Sequence, residues 1–86
     1  MLKIVTIGSE VNGTVLRLEG QIIGPWVDVL QRTCDRLLGA SPLALDLSDV
    51  SFVERRGVEL LRSLGTRGVP LLRCSPFVAE QLKGQA

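Results

Sequence analysis

Histidine and tyrosine are missing from this chain, and its only aromatic residues are one tryptophan and two phenylalanines. Without histidine, the commonest general base and metal-ligating side chain is gone. So few rings leave little platform on which single-stranded bases could stack. Neither sign of charge is in excess: ten basic and nine acidic side chains give a net +1. The molecule as a whole therefore exerts no strong pull on nucleic acid, and none is expected as a partner. No apolar run approaches the length that crosses a bilayer, so direct membrane insertion is not expected. The opening MLKIVTIGSE has a single lysine and reaches Ser9 and Glu10 too soon for a signal peptide. Cysteine is scarce as well. Cys34 and Cys74 lie far apart with no CxxC spacing, and they read as reduced thiols of a soluble cytoplasmic protein.

What is present suits one small domain spanning residues 1–86. Hydrophobic residues make up 45% of the 86 positions, enough for one modest core and too little for two. No linker, repeat or low-complexity segment interrupts it. LKIVTI is β-branched and reads as a strand. Asn12-Gly13 is a two-residue hairpin signal, and the following TVLRLEG alternates, with Leu16 and Leu18 on one side and Arg17 and Glu19 on the other. Those two strands are expected to pair antiparallel. GPWVDVLQRTCDRLLGAS is the clearest helix. Pro25 suits its first position. Trp26, Val27, Leu30, Cys34, Leu37 and Leu38 share one face, and Asp28, Gln31, Arg32 and Asp35 the other. Gly39 is its expected left-handed terminator.

PLALDLSDV reads as the next strand, ending at Val50, with Leu43, Leu45 and Leu47 on one side and Ala44, Asp46 and Ser48 on the other. A second helix is expected from Gly57 to about Leu64. It would bury Val58, Leu61 and Leu64, with Leu60 at the flank, until Gly65 and Gly68 break it. VPLLRCS is a fourth strand whose Pro70 points to a sheet edge or a strand start. SPFVAEQLKG closes the series as a short helix, with Ser75 as cap, Pro76 in the first turn and Gly84 as the stop. The fold class is α/β, in the order ββαβαβα. Two strand–helix–strand units imply right-handed crossovers, parallel neighbours, and a mixed four-stranded sheet with helices packed on one face.

Catalytic constellations are hard to find. Asp46 and Asp49 straddle a strand's carboxyl end, where open α/β sheets place ligands, but a hard cation wants more converging oxygens than these and Glu54 supply. Asp46 is read as an exposed strand residue and Asp49 as a turn residue. GTRG at Gly65–Gly68 follows a helix instead of opening one, so it is no phosphate loop. Five of the ten basic residues fall between Arg55 and Arg73, so a basic patch is conceivable. Arg55, Glu59 and Arg62, however, share a helix face at spacings that favour a solvated, salt-bridged surface. No catalytic, cofactor-binding or metal-binding residue is expected. Trp26 either anchors a partner or covers the end of the core.

The stretch LALDLSDVSFVERRGVELLRSLGTRGVPLLRCSP resembles the STAS domain, the family named for sulfate transporters and anti-sigma-factor antagonists. Its pattern is a strand ending in D-L-S-x-V-x-F-hydrophobic-D, then a small residue, Ser or Thr, Gly and an apolar helix. Here the run is Asp46, Leu47, Ser48, Asp49, Val50, Ser51, Phe52, Val53, Glu54, Arg55, Arg56, Gly57. Upstream, VLRLEGQIIGPWVDVL resembles the family's second strand and first helix. In switch-type members the hydroxyl residue before the glycine is phosphorylated by a partner kinase, which ends binding. Arg56 stands at that position, Glu54 replaces the family's Asp, and Arg55 replaces the small residue. The resemblance thus implies a STAS-like domain that cannot be switched by phosphorylation at the usual site.

A helix N-terminus favours anions, and an exposed cation there costs about 0.3–1 kcal/mol. Pairing with Glu54 or Glu59 can offset a penalty of that size. Either a partner presents acidic groups to Arg55 and Arg56, or both are ordinary solvated side chains. The leading expectation is a non-enzymatic, cytoplasmic, bacterial-type interaction module in signal transduction and transcription regulation. Its partner would be a protein such as an anti-sigma-factor kinase, and its contact surface Ser51, Glu54, Arg55, Arg56, Gly57, Glu59 and Trp26. One alternative is a subunit bound to the cytoplasmic ATPase of a membrane lipid transporter. Another is nucleotide or anion binding at the start of the second helix.

Overall fold

A computed structural model describes residues 2–10 and 13–83. The chain runs β1 (Leu2–Glu10), β2 (Gly13–Ile22), α1 (Pro25–Leu38), β3 (Leu43–Val53), α2 (Arg55–Thr66), β4 (Leu71–Leu72) and α3 (Pro76–Lys83). This is the ββαβαβα order expected from the sequence. The sheet order is β1-β2-β3-β4; β1 lies antiparallel to β2, and the other two pairings are parallel. The sheet and helices make an α/β fold with a mixed four-stranded sheet, consistent with the STAS-like arrangement expected from the sequence. Asn12 and Gly84, read as turn and helix stop, lie outside the described residues. Glu10 faces Gly13 across the β1–β2 pair. Gly13 has φ 139°, and a Cβ there would sit 2.8 Å from the Pro42 carbonyl oxygen. Glycine is therefore required where β2 passes the entry to β3. Among the described residues no helix is long and apolar enough to cross a membrane.

The helices share one face of the sheet. Leu16, Leu18 and Ile22 of β2 and Leu45, Leu47, Val50 and Val53 of β3 form one cluster with Val27, Leu30 and Cys34 of α1, Val58, Leu61 and Leu64 of α2, and Val78 of α3. Trp26, Leu37 and Leu38 are partly buried against it. The opposite face carries Arg17, Glu19 and Asp49 as an ion-paired group, Arg17 lying 3.1 Å from Glu19 and 3.4 Å from Asp49.

Several boundaries differ from the sequence reading. β3 continues past Val50 to Val53 because its register against β2 slips twice, between Asp46 and Asp49 and again between Val50 and Phe52. Each slip inserts one residue, so inward positions that start two apart, Leu45 and Leu47, become three apart at Val50 and Val53. α2 begins at Arg55, two residues before Gly57. Gly65 lies inside α2 without breaking it; the chain turns at Gly68, which has φ 89°. Gly39 does not take the left-handed conformation: φ −70° and ψ −16° continue the helical region. Leu60, expected at the flank, is buried. β4 shrinks to two residues at the sheet edge directly after Pro70. Ser75 does cap α3, its Oγ accepting the Val78 N–H at 3.2 Å.

Candidate functional site

The segment joining β3 to α2 is fixed from both sides. Asp46, read as an exposed strand residue, is only 2% exposed. Its Oδ1 accepts the Ser48 N–H at 2.9 Å, pinning the strand where the first register slip begins. The guanidinium of Arg73 lies 3.8 Å from the same carboxylate. Arg73 has φ 55°, a left-handed conformation unusual for a residue with a side chain. The Ser48 bond holds the Asp46 carboxyl below its ordinary range, helped by Arg73 and Arg17 and opposed by partial burial. Among the described residues no group of three or more His, Cys, Asp and Glu could hold a metal ion.

At the end of β3 the Glu54 N–H donates to the Ile22 carbonyl at 3.0 Å, and Glu54 becomes the N-cap of α2 with φ −76° and ψ 171°. Its side chain makes no capping bond. Arg55 and Arg56 are thus the first two residues of α2, and the cation does stand at the mouth of that helix. Gly57 follows, buried. A Cβ there would fall 2.7 Å from Val53 Cγ1, 3.0 Å from Ile22 Cγ2 and 3.1 Å from the Ile22 carbonyl oxygen. The helix start rests directly on the ends of β2 and β3, and only glycine permits that approach. Gly57 accordingly serves packing and drops out of the contact surface.

Each arginine is turned toward a carboxylate of its own chain. Arg55 is 82% exposed and stands 3.9 Å from Glu59, one turn along α2. Arg56 donates from Nη2 to Asp28 Oδ1 of α1 at 2.9 Å. Of the acids expected to offset these cations, Glu59 pairs with Arg55, while Arg56 takes Asp28, seen in the sequence only as part of a solvated helix face. A second bridge runs from Arg67, the C-cap of α2, to Asp35 of α1 at 2.8 Å. Arg55, Arg56, Arg67 and Arg73 each lie within 4.0 Å of an acid, which breaks up the conceivable basic patch.

The other expected contact residues divide. Ser51 is exposed, and its hydroxyl donates to the Gly20 carbonyl at 3.2 Å. Glu59 is exposed, and Glu54 is half-buried. Trp26 is partly buried and packs against the core. Two features lay outside the sequence reading altogether. Phe52 and Phe77, 39% and 56% exposed, lie with ring centroids 6.3 Å apart. Gln81 of α3 bonds the main chain of Val53 at both its N–H and its carbonyl. A concavity of about 450 Å³ lies away from this region, bordered by Gly8, Val15, Pro42, Ala44 and Pro70. Compared with known proteins, the chain matches no family model and no curated protein.

Proposed function

We propose that this chain is a non-enzymatic docking module, a STAS-like domain of the cytoplasm that binds a protein partner in signalling or transcription control. Its contact surface is the exposed ground around the start of α2: Ser51, Glu54, Arg55, Arg56 and Glu59, extended onto α1 at Asp28. The observation that carries this reading is the Arg56–Asp28 ion pair at 2.9 Å. It occupies the place where a phosphorylatable hydroxyl is expected from the family resemblance, and it ties the starts of α1 and α2 into one preorganised surface. A guanidinium cannot accept a phosphoryl group as an alcohol does, so binding at this surface would not be ended by phosphorylation at residue 56.

The two arginines have different parts. Arg56 is satisfied within the chain. Arg55, more exposed and 3.9 Å from Glu59, is the cation open to a partner's carboxylate. Affinity capture from native lysate tests the reading, with the wild type compared against Arg55→Glu and against Arg55→Glu combined with Arg56→Glu. The expected result is one protein retained by the wild type, reduced by the single reversal and lost with the double. Equal retention by all three would remove the acidic-partner surface.

A further inference from the structure

The sheet is unfinished along one edge. β4 has two residues and pairs only with Leu45 and Asp46 of β3. From Leu47 to Val53, β3 has no strand beyond it among the described residues. On its inner side the parallel ladder with β2 continues to Ile22 opposite Val53, and the Glu54 N–H closes it on the Ile22 carbonyl. Successive residues of a strand send their main-chain groups to opposite edges. The N–H and C=O of Val53 therefore point outward, away from β2. A bare pair of this kind is a template on which another chain can add a strand.

In this protein a side chain fills it. Gln81 places Oε1 3.2 Å from the Val53 nitrogen and donates from Nε2 to the Val53 carbonyl at 2.7 Å. A carboxamide has the donor and acceptor of a peptide group, so Gln81 supplies both bonds that a neighbouring strand would make. The helix that delivers it is lightly held. α3 has eight residues, too few to persist unaided, and Val78 is its only buried residue. Phe77, on its first turn, meets Phe52 at the surface.

We propose that the Gln81 carboxamide is a surrogate strand that keeps the outer edge of β3 closed to a second copy of this chain, and that this edge is a latent self-association surface. A main-chain ladder selects by geometry and not by side chain, so any extended strand with an open edge can take the vacated bonds. Every copy brings one: β1, nine residues long, is paired among the described residues only with β2. The proposal is independent of the docking surface around Arg55.

Hydrogen exchange at the Val53 amide, read alongside light scattering over a range of protein concentrations, tests it. In the wild type Val53 should exchange slowly and at the same rate at every concentration. In Gln81→Ala it should exchange about tenfold faster in dilute solution, then slow again as concentration rises, in step with growing molecular mass. Gln81→Glu keeps an acceptor for the Val53 N–H but sets a carboxylate against the Val53 carbonyl; it carries the same test if the alanine variant does not fold. Variants that stay monomeric, with Val53 fast at every concentration, would overturn the proposal, as would concentration-dependent exchange in the wild type.

Discussion

Asp46 accepts the Ser48 N–H at 2.9 Å, and through that bond β3 makes the first of its two register slips. The carboxylate is covered by its immediate neighbours at the sheet surface and is not deep in the core, so hydrogen bonding outweighs desolvation and its pKa falls below the ordinary 3.8. An acid whose folded pKa is depressed binds fewer protons folded than unfolded. Its stabilisation is complete above pH 3.8 and is lost as pH drops through the lower folded value. Urea unfolding at a series of pH values should show wild-type stability declining below about pH 4 more steeply than that of Asp46→Asn, with the gap closing as pH falls through the lowered folded value. Parallel curves would mean the carboxylate's charge contributes nothing. Sequence reading placed this residue on the correct strand and misjudged its exposure. Alternation assigns a face, but whether that face is wet depends on Arg73, which approaches from a different element through a left-handed backbone.

Elements were legible wherever one periodicity ran without interruption. β2 and α1 each keep a single period, two residues or between three and four, and both appear within a few residues of the expected limits. β3 changes spacing midway, so the pattern loses it after Val50. α2 hides its first turn because Arg55 and Arg56 carry no apolar signal and stand where a helix disfavours cations. Gly65 misleads in the opposite sense: an exposed glycine inside a helix costs only about 1 kcal/mol, which the buried face of α2 overcomes. What fastens α1 to α2 at the surface is two ion pairs, Asp28–Arg56 and Asp35–Arg67. The acids are one heptad apart along α1, and the arginines eleven residues apart, from the first turn of α2 to its C-cap, so each set falls on one side of its helix. That spacing is in the sequence, yet nothing local says the two sides face each other. A double-mutant cycle with Asp28→Asn and Arg56→Gln should give a coupling of about 0.2–1 kcal/mol, since both groups are more than half exposed. In 1 M NaCl, where screening acts over about 3 Å, the coupling should shrink. A coupling that survives salt unchanged would point to packing of the arginine stem instead of charge.

Across the whole molecule the same arrangement recurs: cations bridge elements instead of gathering on one surface. Arg17 spans β2 and β3, Arg56 and Arg67 span α1 and α2, and Arg73 reaches β3 from beyond β4. The site at the start of α2 was legible because a short local pattern marks a strand end, a glycine and a helix. Its partner Asp28 was not, being 28 residues away. The core beneath these bridges can be probed through its one fully buried thiol. Cys34 is 0% exposed within the cluster that joins α1 to the sheet. Burial, reinforced by Asp35 against the opposing pull of Arg67, pushes its pKa up to about 11. Cys74 is half-buried and also raised by burial, but it lies at the margin between β4 and α3. Only the thiolate attacks a disulfide reagent, and Cys34 can meet one only when α1 lifts from the sheet. With the stability of an ordinary domain, about 5 kcal/mol or more, labelling of Cys34 at pH 8 should be at least about a thousandfold slower than that of an unfolded thiol. Cys74 should react first. As urea is added, the Cys34 rate should rise in proportion to the unfolded fraction measured by circular dichroism, and the two cysteines should converge once the domain is open. Equal rates for both in native buffer would mean that α1 leaves the sheet without global unfolding, and the surface it shares with α2 could not then be preorganised.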